Sequence, residues 1–367
     1  MDPLEQLNSL SLEQKIGQLF FIGVPGAEFD ELTEALLSEV SPGGVCLFAR
    51  NIREAEQTRA LLDALTSFLP IKPFLSIDQE GGLVDRLRRI VTPMAAANQL
   101  GTAELAATSA RIIGETLRLL GFNMDFAPVV DVIDEVREKH SNGLQSRSFG
   151  HDKKQVVELA SAFLESLQSA GIIGCLKHFP GLGASQVDSH EELPVVDISE
   201  DELAQVDLYP YKRMLPSAKA VMVAHACFPK SRLQEADKHG KLIPSSLSRK
   251  FVTDLLRDEL RFDGLVITDD LEMGAILNNY GIGDACKMAI TAGVDMLAIC
   301  ADQGRIIDGY RAVLAAARTG EIGTERIDRS LRRIASLKTA LCLPAQFDKE
   351  KLMSLSAASA ELKDNLC

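Results

Sequence analysis

The chain has 367 residues, 46% of them hydrophobic and 25% charged, with a formal net charge of −13 at pH 7. That length and apolar content suffice for one large core, and the negative field repels phosphate backbones and anionic surfaces, so no nucleic-acid partner is expected. No apolar run reaches the ~20 residues of a membrane helix, and the start Met1-Asp2-Pro3-Leu4-Glu5 lacks the basic and apolar parts of a secretory signal. The expected setting is therefore the cytoplasm, with no membrane association.

Taken in chain order, Ser11-Leu12-Glu13-Gln14 announces a helix, because a Ser cap and a Gln three residues on satisfy each other's free amides. Short apolar runs then alternate with longer amphipathic stretches. GQLFFIGV, GGVCLFAR, KPFLSID, FNMDFAPVVDV, GIIGCLKHF, AVMVAHACF, GLVITDDL and DMLAICAD read as strands. Helices are expected over 53–69, 101–120, 153–170, 200–215, 247–261 and 283–293, with a further pair within 304–341. This alternation predicts an α/β chain folded as a single-domain (β/α)8 TIM-type barrel over residues 1–343, with 344–367 as a short helical tail.

Cys46, Cys175, Cys227 and Cys300 lie inside strand-like runs and read as buried thiols. No Cys-x-x-Cys pair or clustered carboxylate triad offers a metal site, so neither metal nor cofactor is expected.

Barrel chemistry gathers at the C-terminal ends of the strands. The ends here carry Arg50 and Asn51, Asp78, Asp125 and Asp131, Lys177 and His178, His225, then Asp269 and Asp270. Any one alone reads as a solvated loop residue; the succession points to a pocket. Carboxylates and cationic heads without a phosphate-binding Gly pattern suit a ligand dense in hydroxyls, which charged groups grip by strong hydrogen bonds. Gly81 and Gly82 read as allowing close backbone approach. Asp270 reads as a structural cap, Arg50 and Asp131 as ion-pair members, and His225 either as a sugar contact or as a hydrogen-bonded strand-end residue.

Lys177-His178-Phe179-Pro180-Gly181, Asp188-Ser189-His190 and Thr268-Asp269-Asp270-Leu271-Glu272-Met273 resemble the bacterial β-N-acetylglucosaminidases of glycoside hydrolase family 3, of the cell-wall-recycling type. Asp78-Gln79-Glu80-Gly81-Gly82, Arg147-Ser148-Phe149-Gly150 and Asp125-Phe126-Ala127-Pro128-Val129-Val130-Asp131 fit the same pattern, and the likeness runs from about residue 11 to about residue 340. The resemblance implies a retaining enzyme with Asp269 as nucleophile, Asp188 and His190 as an acid/base dyad, and Asp78, Arg86, Arg147, Lys177 and His178 around the sugar. It also implies a small carbohydrate partner, a muropeptide or chito-oligosaccharide, met by a monomer or weak dimer. Two departures stand out. The family's Gly-His-Gly-Asp-Thr run is Gly181-Leu182-Gly183-Ala184-Ser185 here, and an Arg common after the paired glycines is Leu83. Two rival readings follow: a phosphorylase, because a neutral histidine repels phosphate less than a carboxylate would, and a non-catalytic sugar-binding barrel, which the altered loop would allow.

Overall fold

The computed structural model describes residue 7 and residues 9–139, 143–189 and 191–366. Its strands are β1 (Phe20–Gly23), β2 (Gly44–Leu47), β3 (Phe74–Ile77), β4 (Gln79–Gly81), β5 (Val84–Asp85), β6 (Met124–Asp125), β7 (Ile173–Phe179), β8 (Ala220–Val223), β9 (Leu265–Asp270) and β10 (Met296–Ile299). β4 and β5 form a small antiparallel hairpin; the other eight close into a parallel barrel in the order β1-β2-β3-β6-β7-β8-β9-β10. Closure lies between first and last, where Phe20, Phe21 and Ile22 pair with Leu297, Ala298 and Ile299. A closed barrel leaves no strand edge open to another chain.

Successive strand residues point to opposite faces. Phe21 therefore faces inward, stacking on Phe74 at 5.8 Å and meeting Phe126 edge-on at 5.4 Å, while Phe20 faces outward against Tyr310 of the helix Gln303–Thr319. With both faces covered, the strands read as continuous apolar runs rather than alternating ones. The helices Ala55–Phe68, Ala103–Leu120, Lys153–Ser169, Ile282–Ala292, Gln303–Thr319 and Thr324–Thr339 lie where the apolar periodicity places them. At the helix Leu12–Gly17, Ser11 Oγ accepts from the Gln14 amide at 3.3 Å and Gln14 Oε1 accepts from the Ser11 amide at 3.2 Å.

Several elements differ from expectation: Glu31–Val40 is a helix outside the expected set, the expected helix over 247–261 forms with wider turns over Lys250–Glu259, and two more differ in their course. The run FNMDFAPVVDV pairs as regular strand only over Met124–Asp125. Beyond it Pro128 has no N–H for the ladder, and the segment follows β7 irregularly, with the Cys175 and Lys177 amides donating to the Ala127 and Pro128 carbonyls. The expected helix over 200–215 is divided into Glu200–Glu202, a wider turn Leu203–Asp207, and Leu208–Met214. Pro210 cannot donate to Val206, and the Leu208 amide reaches the Leu203 carbonyl instead.

Beneath the barrel, the Lys338 ammonium is buried. It donates to Gln18 Oε1 at 2.8 Å and lies 5.3 Å over the Phe74 ring; burial pushes its pKa down to about 7. Near the chain end, the helix Lys349–Asp364 buries Leu352, Leu355 and Leu362, and its Ser356 hydroxyl accepts from the Thr92 amide at 2.8 Å. No described helix is long and apolar enough to cross a membrane.

Candidate active site

At the C-terminal ends of the strands lies a cavity of about 360 Å³. Asp78, Arg86, Arg147, Lys177, His178, Asp188 and Asp269 all line it. These residues come from five stretches of chain that only barrel closure brings together.

Their charges alternate. Asp78, one residue past β3, accepts from Lys177 Nζ at 2.7 Å and lies 3.8 Å from Arg86 Nη2. Lys177, on β7, also pairs with Glu80 Oε1 at 2.7 Å, and Glu80 takes two hydrogen bonds from Arg147, at 2.8 and 2.9 Å. Burial alone would push the Glu80 carboxyl up, but Arg147 and Lys177 outweigh it and hold the pKa far below the usual carboxylate value. Burial would likewise favour neutral Lys177, yet Asp78 and Glu80 raise its pKa and keep the ammonium charged. Glu80 thus neutralises buried Lys177 and half-buried Arg147, a role that its place in the Asp-Gln-Glu-Gly-Gly motif does not announce.

The hairpin that carries Glu80 turns at two glycines with φ of +90° and +58°, as close approach requires: a Cβ on Gly81 would fall 2.2 Å from the Ala95 carbonyl oxygen. Gln79 fixes the hairpin from both sides. Its amide donates to Asp125 Oδ1 at 2.9 Å, and its side-chain oxygen accepts from the Arg86 amide at 2.9 Å. Leu83 stands at the turn, 72% exposed, and does not line the cavity.

Asp269, on β9, accepts from the Asp270 amide at 2.9 Å. Burial works to raise its pKa, but His178, His225, the Asp270 amide and Lys177 together prevail and lower it, favouring the ionised form. The neighbouring Asp270 behaves oppositely: burial pushes its carboxyl up to about 7, while Oδ1 accepts from the Glu272 amide at 3.0 Å. It caps that turn and also lines the cavity.

His225 is fully buried and stands behind the cavity wall. Burial lowers its pKa, Nδ1 is 2.7 Å from Ser246 Oγ, and Nε2 is 3.1 Å from the Asp270 carbonyl oxygen. Nε2 must therefore carry the proton it donates to that carbonyl, and Nδ1 accepts from the serine. Of the two expectations for His225, this placement is that of a hydrogen-bonded strand-end residue. Arg50, expected in an ion pair, instead donates to the Cys300 carbonyl and lies 4.9 Å over the Phe48 ring.

Asp188 follows a loop that leaves β7. Along it, Gly183 runs so close to the 131–132 backbone that a Cβ would meet the Val132 carbonyl oxygen at 2.0 Å. Leu182 is buried and faces the cavity, and Ala184 is buried beside it. His190 lies outside the described residues. Cys46 and Cys300 line the wall, and all six described cysteines are free. Among the described residues no three His, Cys, Asp or Glu side chains gather in a group able to hold a metal ion.

The cavity therefore offers fixed donors from Lys177 and the arginines, fixed acceptors from Asp78, and an ionised carboxylate at Asp269. Such a set is chemically able to hydrogen-bond several hydroxyls at once beside an ionised carboxylate.

The model for the glycosyl hydrolase family 3 N terminal domain matches residues 11–337. The β-hexosaminidase A of Pseudoalteromonas piscicida is 35% identical over 336 residues, covering 85% of this chain and 55% of that protein. The β-hexosaminidase of Pseudomonas aeruginosa is 34% identical over 275 residues, covering 73% and 78%. The structure of a family 3 β-N-acetylglucosaminidase from Paenibacillus sp. str. FPU-7 superposes with a TM-score of 0.87 at 34% identity, covering 96% of this chain and 69% of that one. This chain thus spans little more than half of the Pseudoalteromonas protein and most of the Pseudomonas one. The chain belongs to glycosyl hydrolase family 3.

Proposed function

We propose that this family 3 member is a retaining exo-β-N-acetylglucosaminidase, acting in the cytoplasm on terminal β-linked N-acetylglucosamine of peptidoglycan-derived muropeptides. The observation that carries the reading is Asp269, a half-buried carboxylate whose surroundings favour the ionised form, in a one-ring cavity that Asp188 also lines. The names of the Pseudoalteromonas, Pseudomonas and Paenibacillus relatives support the reaction class. The muropeptide source rests on the sequence resemblance.

In this reading Asp269 attacks the anomeric carbon and forms a glycosyl-enzyme. His190, as imidazolium, gives its proton to the departing oxygen, then takes one from the incoming water in the second step. Asp188 orients the imidazole and favours its charged form. Asp78, Arg86, Arg147, Lys177 and His178 hold the ring, and neither step calls for a metal or cofactor.

The test is to assay nitrophenyl β-N-acetylglucosaminide and β-glucoside side by side, with and without phosphate. The N-acetylglucosaminide should be cleaved far faster, since groups set to bind an acetamide are left unpaired by a glucoside, and phosphate should change neither rate nor product. Equal rates on both sugars would sink the aminosugar reading. Sugar 1-phosphate as the product would establish the phosphorylase, and binding without turnover the non-catalytic barrel.

A further inference from the structure

Asp131 ends the irregular segment beside β7, and its side chain is fully buried. Its two carboxylate oxygens face different parts of the site. Oδ2 is 2.7 Å from His178 Nδ1, and Oδ1 accepts from the Leu182 amide at 2.7 Å, with the His178 amide at 3.4 Å. Its own backbone carbonyl accepts from Ser148 Oγ at 3.0 Å, next to Arg147. One residue thus touches the ring of a cavity histidine, the root of the loop leading to Asp188, and the segment that presents Arg147.

We infer that Asp131 is a positioning residue for this site, fixing the tautomer of His178 and docking the loop at Leu182 with the same carboxylate. A carboxylate only accepts hydrogen bonds, so the proton of the neutral ring must sit on Nδ1. That leaves the Nε2 lone pair facing the cavity, where Arg147 Nη2, 3.4 Å away, is a donor matched to it. The opposite tautomer would set an N–H against the guanidinium. The loop side is equally specific. Gly183 lies flush on Val132, and Gly181, with φ of +134°, lies so near Asp207 that a Cβ would meet the Asp207 Cβ at 2.6 Å. The chain therefore passes directly over Asp131, and the Leu182 amide falls on Oδ1.

Asp131→Asn separates positioning from mere packing, because it keeps shape and removes one acceptor. The Leu182 amide cannot change its role, so the asparagine oxygen stays with it and the asparagine NH2 turns to His178. Nδ1 must then accept, and the proton moves to Nε2, against Arg147. The experiment uses the full chain with 15N-labelled histidine and long-range proton–nitrogen spectra, the His178 signals being identified by their loss in His178→Gln. Neutral His178 should carry its proton on Nδ1 in the wild type and on Nε2 in Asp131→Asn. kcat/KM on nitrophenyl β-N-acetylglucosaminide should fall at least about tenfold, since misplacing a catalytic-site tautomer costs hydrolases heavily. In a His178→Ala background the fall in kcat/KM caused by Asp131→Asn should largely vanish. A wild-type ring bare at Nδ1 overturns the inference, and that measurement needs no variant to fold. The same tautomer in both proteins, or an undiminished Asp131→Asn effect without the ring, overturns it as well. The assignment rests on the sugar-site reading, but the spectra need no turnover. A wild type inactive on the N-acetylglucosaminide would therefore defeat that reading while leaving the tautomer result to stand or fall alone.

Discussion

Glu80 shows how strongly single residues in this site depend on one another. Its side chain is 5% exposed and pairs with both Arg147 and Lys177. Removing Glu80 leaves Arg147 without its carboxylate and Lys177 with Asp78 alone, and breaking a buried ionic group typically costs about 3–5 kcal/mol. Glu80→Gln should therefore lower stability in urea by roughly that amount and weaken sugar binding. A variant as stable as the wild type would show that Asp78 and solvent suffice for the two cations. The pH sense follows from the depressed pKa: this contribution is present above the ordinary carboxylate range and is lost as the pH falls below it. Strand-end position exposed Asp78, Lys177, His178 and Asp269 to sequence reasoning. It did not expose Glu80 or the second role of Asp131. Glu80 is 67 residues from Arg147, and Asp131 is 47 from His178, so only the fold makes them partners.

Among elements, those with strong periodicity were legible and those whose pairing is irregular were not. The helix Ala103–Leu120 begins at a Thr102 cap, ends at Gly121 with φ of +103°, and carries its apolar face throughout, so its limits follow from local chemistry. β6 is curtailed by Pro128, whose effect depends on which neighbour the segment meets. The helix Thr324–Thr339 holds a feature that periodicity conceals, since Lys338 occupies a buried position normally apolar. Burial lowers its pKa from 10.5 to about 7, so between these values the unfolded chain binds the extra proton and stability rises with pH. Lys338→Met, free of this dependence, should be favoured over the wild type near pH 7 and lose that advantage toward pH 10.5, by roughly 5 kcal/mol across the window. Urea titrations of both proteins at pH 7 and pH 9.5 check this. A difference independent of pH would mean that Gln18 and Phe74 hold the ammonium charged throughout.

For the whole molecule, eight strand runs alternating with helices indicated a barrel, while closure itself rests on the β1–β10 pairing, which no local pattern encodes. Closure is what gathers Asp78, Arg147, Lys177, Asp188 and Asp269 around one cavity, and with it the claim that this chain hydrolyses an N-acetylglucosaminide through a covalent intermediate on Asp269. The most direct measurement is to trap that intermediate with a 5-fluoro N-acetylglucosaminyl fluoride and map the modified peptide by mass spectrometry. The account predicts one sugar per chain, attached at Asp269 and absent from Asp269→Ala. Attachment at Asp78 or Asp270, or turnover of the probe with no covalent species at any time, would contradict it.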